Sequence, residues 1–281
     1  LLGVVACALL SAGLSAAPAS ARPLYTGLSG VYDYIPEAYS QVHATGAEFV
    51  RIGVPWGSIA PDTQPAQWQP QDPGDPNYHW GYVDGAVKNA VAAGLQPVLM
   101  VNSVPTWAQG CRAPLVLPEA SCRPEAAALA QFAVAVARRF SGGFGGLPRV
   151  QYWQGLNEPN LSLYFFPQFQ GSTSVSADLY RPLINAFYAA IKSVDPSNLV
   201  LAAGLGPIAV PSWTIGPMQF ARELLCMKGS RNPKPTAGDC EGGVHFDIFD
   251  VHPYTTGGPT HKGGPNDVEL GDLPKLQRLL R

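Results

Sequence analysis

The feature that most constrains this chain is a regular alternation of short apolar runs with helix-patterned segments. Strand-like runs fall at Leu24–Leu28, Glu48–Val54, Gln96–Asn102, Val150–Leu156, Leu199–Ala203 and Phe246–Val251. Between them apolar residues recur at helical spacing, roughly over Ile35–Thr45, Tyr82–Ala93, Pro124–Phe140, Ala177–Val194 and Pro217–Lys228, with a last helix-like stretch at Asp272–Arg281. Gly46 and Gly94 stand where helices should stop, because glycine enters the left-handed conformation without steric cost; Asp195-Pro196 closes another helix. Such alternation implies parallel strands joined by helical crossovers. The apolar runs are not strictly alternating, as expected for strands covered on both faces. From the second onward the strands begin roughly fifty residues apart, so six fit before Arg281, whereas a closed barrel of this type has eight. The expected fold is an α/β (β/α)8 TIM barrel, incomplete here, comprising about the first six β/α units. On this reading the sequence is a fragment cut at both ends.

At 281 residues and 46% hydrophobic content the chain can bury a full core. Its net charge is −2, only 14% of residues are charged, and no Lys/Arg run occurs, so nucleic acid is not an expected partner. A Gly-x-Ser-x-Gly elbow is missing, which removes the usual anchor of an esterase triad. His43, His79, His245, His252 and His261 lack metalloprotease spacing, and no glycine-rich dinucleotide fingerprint opens a helix. Neither a metal nor an organic cofactor is expected.

Residues 1–21 read as a signal peptide clipped at its N-terminus, with Ala19-Ser20-Ala21 as a small-x-small cleavage site before Arg22. The apolar run is too short to cross a bilayer comfortably. Val4-Val5-Ala6-Cys7 loosely resembles a lipoprotein box, but apolar residues continue past Cys7 and plain secretion is the better reading. Residues 22–281 then form one partial barrel domain of an extracellular protein, with no membrane contact after cleavage. Removing the signal leaves Cys111, Cys122, Cys226 and Cys240, an even set that suggests two disulfides in an exported chain. Nearest-neighbour pairing would staple two loops; three pairings are formally possible and the sequence does not choose. Zinc is disfavoured by the wide spacings.

Chemistry concentrates in Gln151-Tyr152-Trp153-Gln154-Gly155-Leu156-Asn157-Glu158-Pro159-Asn160. A buried strand runs into an amide, a carboxylate and a proline, and proline has no N–H to continue a ladder. Asn157 and Glu158 are thereby left at the carboxyl end of the strand, where parallel barrels do their chemistry. A strand-end acid that merely caps a turn is the ordinary alternative, so the other strand ends matter. Strand 2 carries Arg51 inside an apolar run, where a buried charge must be paired. Strand 6 runs into His252-Pro253-Tyr254, whose His and Tyr, two residues apart, project to one side. Strand 3 leads to Trp107, a flat apolar surface on which a sugar ring could stack, although a core role is commoner for any one tryptophan. Tyr164, Phe165 and Phe166 follow the acid in a loop, as substrate platform or loop core.

The Asn157-Glu158-Pro159 triplet resembles the signature of the clan A retaining glycoside hydrolases, and His252-Pro253-Tyr254 is similar to the strand-6 end of glycoside hydrolase family 39 and its family 5-like, cellulase-type relatives. Leu156 departs from the pattern, since many relatives carry Trp there. The resemblance implies that Glu158 is the general acid/base, that Asn157 binds the sugar 2-hydroxyl, and that Arg51, His252 and Tyr254 hold substrate or the nucleophile; Trp107 is the candidate stacking surface read from the sequence itself. It implies a secreted, monomeric glycosidase that cleaves O-glycosidic bonds of oligo- or polysaccharides with retention. Retention needs two carboxylates about 5–5.5 Å apart. The second, in that clan, is a Glu ending strand 7, expected beyond Arg281. Asp247 and Asp250 lie within a strand too early and Glu269 lies in a loop, so none is assigned, and the fragment by itself is expected to be inactive. The alternative is a non-catalytic carbohydrate-binding relative on the same barrel.

Overall fold

The computed structural model describes residues 24–30, 35–112, 120–229, 234–235, 240 and 242–281; the expected signal segment, 1–21, lies outside them. Six strands form one sheet: β1 Gly27–Ser29, β2 Phe49–Pro55, β3 Gln96–Asn102, β4 Tyr152–Gly155, β5 Leu199–Leu205 and β6 Ile248–Val251. They lie side by side in chain order, every neighbouring pair parallel. The longer helices are α1 Pro36–Ala44, α2 Gly81–Ala92, α3 Ala126–Arg139, α4 Ser176–Val194, α5 Pro217–Leu224 and α6 Leu273–Leu279, with a single helical turn at Trp56–Ile59. The result is a curled half-barrel with flanking helices, an incomplete (β/α)8 barrel. Among the described residues β1 and β6 are its edge strands.

The two faces of the sheet are chemically distinct because side chains alternate along a strand. Val50, Ile52, Val54, Leu99, Val101, Trp153, Val200 and Ala202 are fully buried in the apolar core. Gly155 lies on this side: a Cβ added there would come within 3.0 Å of the Phe187 ring of α4. Phe49, Arg51, Val98, Gln154, Leu201, Asp250 and His252 instead line a cavity of about 250 Å³ on the concave face.

Element boundaries differ from the sequence pattern by a few residues, and three of the differences have a visible cause. The first strand is Gly27–Ser29 rather than Leu24–Leu28, because Thr26 O accepts both Glu48 N–H and Phe49 N–H, and ladder pairing begins only at Gly27–Phe49. β4 stops at Gly155, since Leu156 takes φ +65°. The fifth helix ends at Leu224 rather than Lys228: Cys226 takes φ +60° and is bonded to Cys240, and Met227–Lys228 pairs antiparallel with Lys234–Pro235. The other disulfide joins Cys111 to Cys122, with Cα atoms 5.2 Å apart, so both pairs are nearest neighbours. No described helix is long and apolar enough to cross a membrane.

β4 and β5 hold register from Tyr152–Leu199 to Gln154–Leu201 and then part. Tyr180 of α4, fully buried, fills the opening: its hydroxyl donates to Gly155 O at 2.9 Å and accepts from Ala203 N–H at 3.1 Å. Burial pushes the Tyr180 phenol pKa up, so the hydroxyl stays neutral and can serve both partners. Replacement by Phe leaves a buried carbonyl and a buried N–H unpaired, each costing on the order of 1–3 kcal/mol. Tyr180→Phe is therefore expected to lower the unfolding free energy by about 2 kcal/mol or more, measured by urea denaturation; an unchanged midpoint would show that the bridge contributes nothing.

Candidate active site

The site is built from the middle of β2 and the carboxyl ends of β4, β5 and β6. Arg51 projects from the middle of β2 and reaches past β3 to β4 and its end. Its Nε donates to Gln154 Oε1 at 2.7 Å and its Nη2 to Asn157 Oδ1 at 2.7 Å. Both bonds go to neutral amides; the nucleophilic carboxylate that the resemblance pairs with Arg51 is expected beyond residue 281. Burial holds the Arg51 pKa below its ordinary value, and the charges of Asp250 and then Glu158 work against that shift.

Glu158 sits just past β4 with φ +42°, and Leu156 two residues earlier also has positive φ. Non-glycine residues adopt that conformation rarely and only where surroundings impose it. Here Leu156 N–H still donates to Val101 O at 3.0 Å, and Leu161 N–H closes a turn on Glu158 O at 2.9 Å. The side chain of Glu158 is turned inward, 7% exposed overall, with Oε1 2.6 Å from Nδ1 of His252. His252 continues the β6 ladder through its N–H to Leu205 O at 2.8 Å, which holds the ring in place. Tyr254 follows, its ring centroid 6.3 Å from that of His252, and is 72% exposed at the cavity rim.

Glu158, Asn157, Arg51, His252 and Tyr254 thus meet at one mouth of the half-barrel. Trp107 does not join them. Its indole N–H donates to Pro61 O at 2.9 Å, and its ring lies edge-on to Trp56 and Trp68 at 5.7 and 5.1 Å. These contacts make it a packing residue in an aromatic cluster rather than a wall of this cavity. The exposed tryptophan is Trp213, 47% accessible beside Ile208 and Val210 in the loop beyond β5. Of the loop aromatics, Phe165 is fully buried and stacks edge-on to Tyr180, which makes it loop core.

The second asparagine of the motif, Asn160, is completely buried. Its amide donates to Gly206 O and Ile215 O at 3.1 and 3.0 Å and accepts from Gly206 N–H at 2.9 Å. It ties the loop carrying Glu158 to the loop carrying Trp213. Glu269 is also structural: His261, Thr256 and Thr255 donate to its carboxylate, holding its pKa down at about 2 and pinning the loop that follows Tyr254.

Sequence reasoning passed over Gln154 and Asp250. Gln154 is fully buried, lines the cavity, and among the described residues its Nε2 has no hydrogen-bond partner. Asp250 Oδ2 stands 3.6 Å from Nε2 of His252, on the opposite side of the ring from Glu158. Space for this convergence comes from a bulge in β5. Asp250 pairs with Ala203 but Val251 with Leu205, leaving Gly204 as the extra residue, with φ +53°. A Cβ on Gly204 would lie 2.2 Å from Gln154 Nε2, 3.1 Å from Asp250 Oδ2 and 3.3 Å from His252 Nε2. Only glycine fits. Among the described residues no cluster of His, Cys, Asp or Glu is suited to hold a metal ion.

Solved structures place this architecture among known proteins. A family 39 glycoside hydrolase from the gut symbiont Bacteroides cellulosilyticus WH2 is similar over 92% of this chain and 45% of its own, at TM-score 0.56 and 20% identity. A monomeric beta-xylosidase from Caulobacter crescentus CB15 is similar over 83% of this chain and 43% of its own, at TM-score 0.54 and 17% identity. The likeness is one of fold. The chain spans less than half the length of either protein. No protein-family model and no curated protein matches it.

Burial would push the His252 pKa down, but the carboxylates of Asp250 and Glu158 outweigh it, against the opposing charge of Arg51, and raise it to about 9. A group whose pKa is higher in the folded state stabilises the fold fully below its unfolded value, about 6.5, and loses that contribution as pH rises through about 9. The stability gap between the wild type and His252→Gln is therefore expected to be widest near pH 6 and to shrink between pH 6.5 and 9.5. Denaturation midpoints at the two ends of that range measure it, and a constant gap would show that His252 is not charged in the fold.

Proposed function

We propose that the natural protein is a secreted glycoside hydrolase that cleaves O-glycosidic bonds of oligo- or polysaccharides with retention, Glu158 being the general acid/base. The observation that carries this reading is the buried Glu158 at the carboxyl end of β4, on one side of a cavity-lining imidazole and beside an amide clasped by Arg51. The barrel shared with the family 39 hydrolase and the beta-xylosidase supports it. The signal-like segment and the two disulfides support export to an oxidising compartment.

Glu158 first gives its proton to the leaving glycosidic oxygen while a second carboxylate forms a glycosyl ester. It then takes a proton from the water that hydrolyses that ester. Asn157 contributes through its orientation. Because Arg51 occupies Oδ1, the amide NH2 is the end left to face a sugar hydroxyl. A contact to the 2-hydroxyl that strengthens in the transition state is worth more to the rate than one made equally in the ground state. Tyr254, exposed at the cavity rim, and Trp213, exposed in the loop beyond β5, offer apolar surfaces to sugar faces.

Asp250 is not the second carboxylate of this scheme. The imidazole of His252 stands between it and Glu158, where the sugar would have to lie. In this proposal the nucleophile is a Glu at the end of a seventh strand of the full barrel, outside residues 1–281, and those residues alone are inactive.

In the full-length protein Glu158→Gln is expected to lower kcat/KM by about 10²–10⁴-fold on glycosides with alkoxide leaving groups. The loss should be much smaller on aryl glycosides whose phenolate leaves without a proton. Proton NMR of the first-formed anomer reports the stereochemistry. An equal, small loss on both substrate types would remove Glu158 from the acid role, and oligosaccharide binding without turnover would favour the binding-protein alternative.

A further inference from the structure

One acid in the cavity has no part in the scheme above, and its placement calls for a role. Asp250 is partly buried on the concave face of β6, two residues before His252, and both side chains point into the cavity. The bulge at Gly204 opens the gap in which Asp250 Oδ2, His252 Nε2 and the unpartnered Gln154 Nε2 converge. The ring of His252 consequently faces a carboxylate at each nitrogen: Glu158 Oε1 at 2.6 Å from Nδ1, Asp250 Oδ2 at 3.6 Å from Nε2. A neutral imidazole carries one N–H and can serve only one of two such acceptors; the doubly protonated ring serves both. Among the described residues the other titratable groups near this cluster are Arg51 from β2, whose own hydrogen bonds go to neutral amides, Tyr254 at the rim, and Tyr164, which acts on Arg51 through space. Two cations and two carboxylates therefore share the cavity, and removing Asp250 would leave the cations in excess.

We propose that Asp250 is a positioning residue that keeps His252 doubly protonated, so that the Asp250–His252 pair stores the proton that Glu158 delivers to the leaving group. The catalytic consequence rests on the acid/base reading of Glu158; the charge-setting role does not. In the resting site Glu158 is the carboxylate and His252 the imidazolium. As substrate binds, the proton on Nδ1 crosses the short contact to Glu158 Oε1, leaving a neutral ring whose remaining N–H faces Asp250. Glu158 passes that proton to the departing oxygen. When water opens the glycosyl ester, its proton goes to Glu158 and returns to Nδ1, so the cycle closes with no net gain or loss. The raised pKa of His252 agrees with this assignment.

The test separates the two layers. Nitrogen-15 NMR of the imidazoles, with the His252 signal identified by its absence in His252→Gln, follows the titration of that ring directly. Asp250→Asn is expected to lower its midpoint by about one pH unit or more, since an opposite charge at this range contributes about 1–3. Circular dichroism checks folding, and Asp250→Ser provides a second removal of the charge should the asparagine variant not fold. An unmoved midpoint in the folded variant overturns the role of Asp250. In the full-length protein, the alkaline limb of the kcat/KM profile should move down with the NMR midpoint while KM stays within about twofold. A limb that stays put while the midpoint moves overturns the proton store. Full activity of Glu158→Gln would instead dismiss the acid/base reading, with the NMR titration still deciding the charge-setting role.

Discussion

A guanidinium on the inner face of a parallel sheet must be compensated, because an isolated charge is far more costly out of water than in it. Arg51 meets that demand by spanning from β2 across the narrow Val98 of β3 to Gln154 in β4 and Asn157 just beyond it. Both bonds are made to carbonyl oxygens of amides, which satisfies the donors without neutralising the charge. Neutralisation falls to Asp250 and Glu158, reached through space. The cation thereby dictates much of its surroundings: the orientation of two amides, the sign of the acids that can share the cavity, and the direction in which the chain leaves β4. The positive φ angles at Leu156 and Glu158 are the backbone's part of that arrangement.

Much of this was legible in the sequence, for identifiable reasons. Strand–helix alternation survives translation into structure because each element must bury an apolar face against its neighbours, and the strand list was displaced by only a few residues at its ends. Arg51, Asn157, Glu158, His252 and Tyr254 stood out because they interrupt or terminate apolar runs. Gln154 and Asp250 did not, since each lies within a run and owes its meaning to partners distant in sequence. A signal was nonetheless present: Asp250, His252 and Tyr254 share one strand parity, whereas Asp247, three residues before Asp250, falls on the other. Asp247 accordingly meets Lys192 at 2.9 Å and accepts Val200 N–H at 2.8 Å, away from the cavity. The bulge at Gly204 had no sequence signature beyond a glycine in a strand.

Aromatic residues show the opposite failure. Position at a strand end singled out Trp107, yet whether a tryptophan offers its face to solvent depends on what packs against it. Trp56, Trp68, Tyr78, Trp80 and Phe132 form a contiguous cluster around the ends of β2 and β3, and Trp107 closes it. Trp213 lies in a loop without any such company and is left open. Burial of a large ring is a property of the assembled neighbourhood, so a single strand end carries little information about it.

The knot around Asn160 bears on how the protein is made. A chain leaving the ribosome presents Glu158 well before residues 206–215, yet Asn160, two positions after the acid, finds its hydrogen-bond partners only there, and Ile215 N–H returns to Asn160 O at 3.0 Å. Until that later segment has emerged and docked, the buried amide of Asn160 lacks its partners, and the turn that sets the acid is held only by nearer bonds such as Leu161 N–H to Glu158 O and Gln168 Nε2 to Pro159 O. The acid's geometry is accordingly completed only after the segment up to about residue 215 has followed it out of the ribosome. A nascent chain stopped short of about residue 215 would carry the whole Asn-Glu-Pro motif without the Asn160 clasp that ties it to the loop beyond β5.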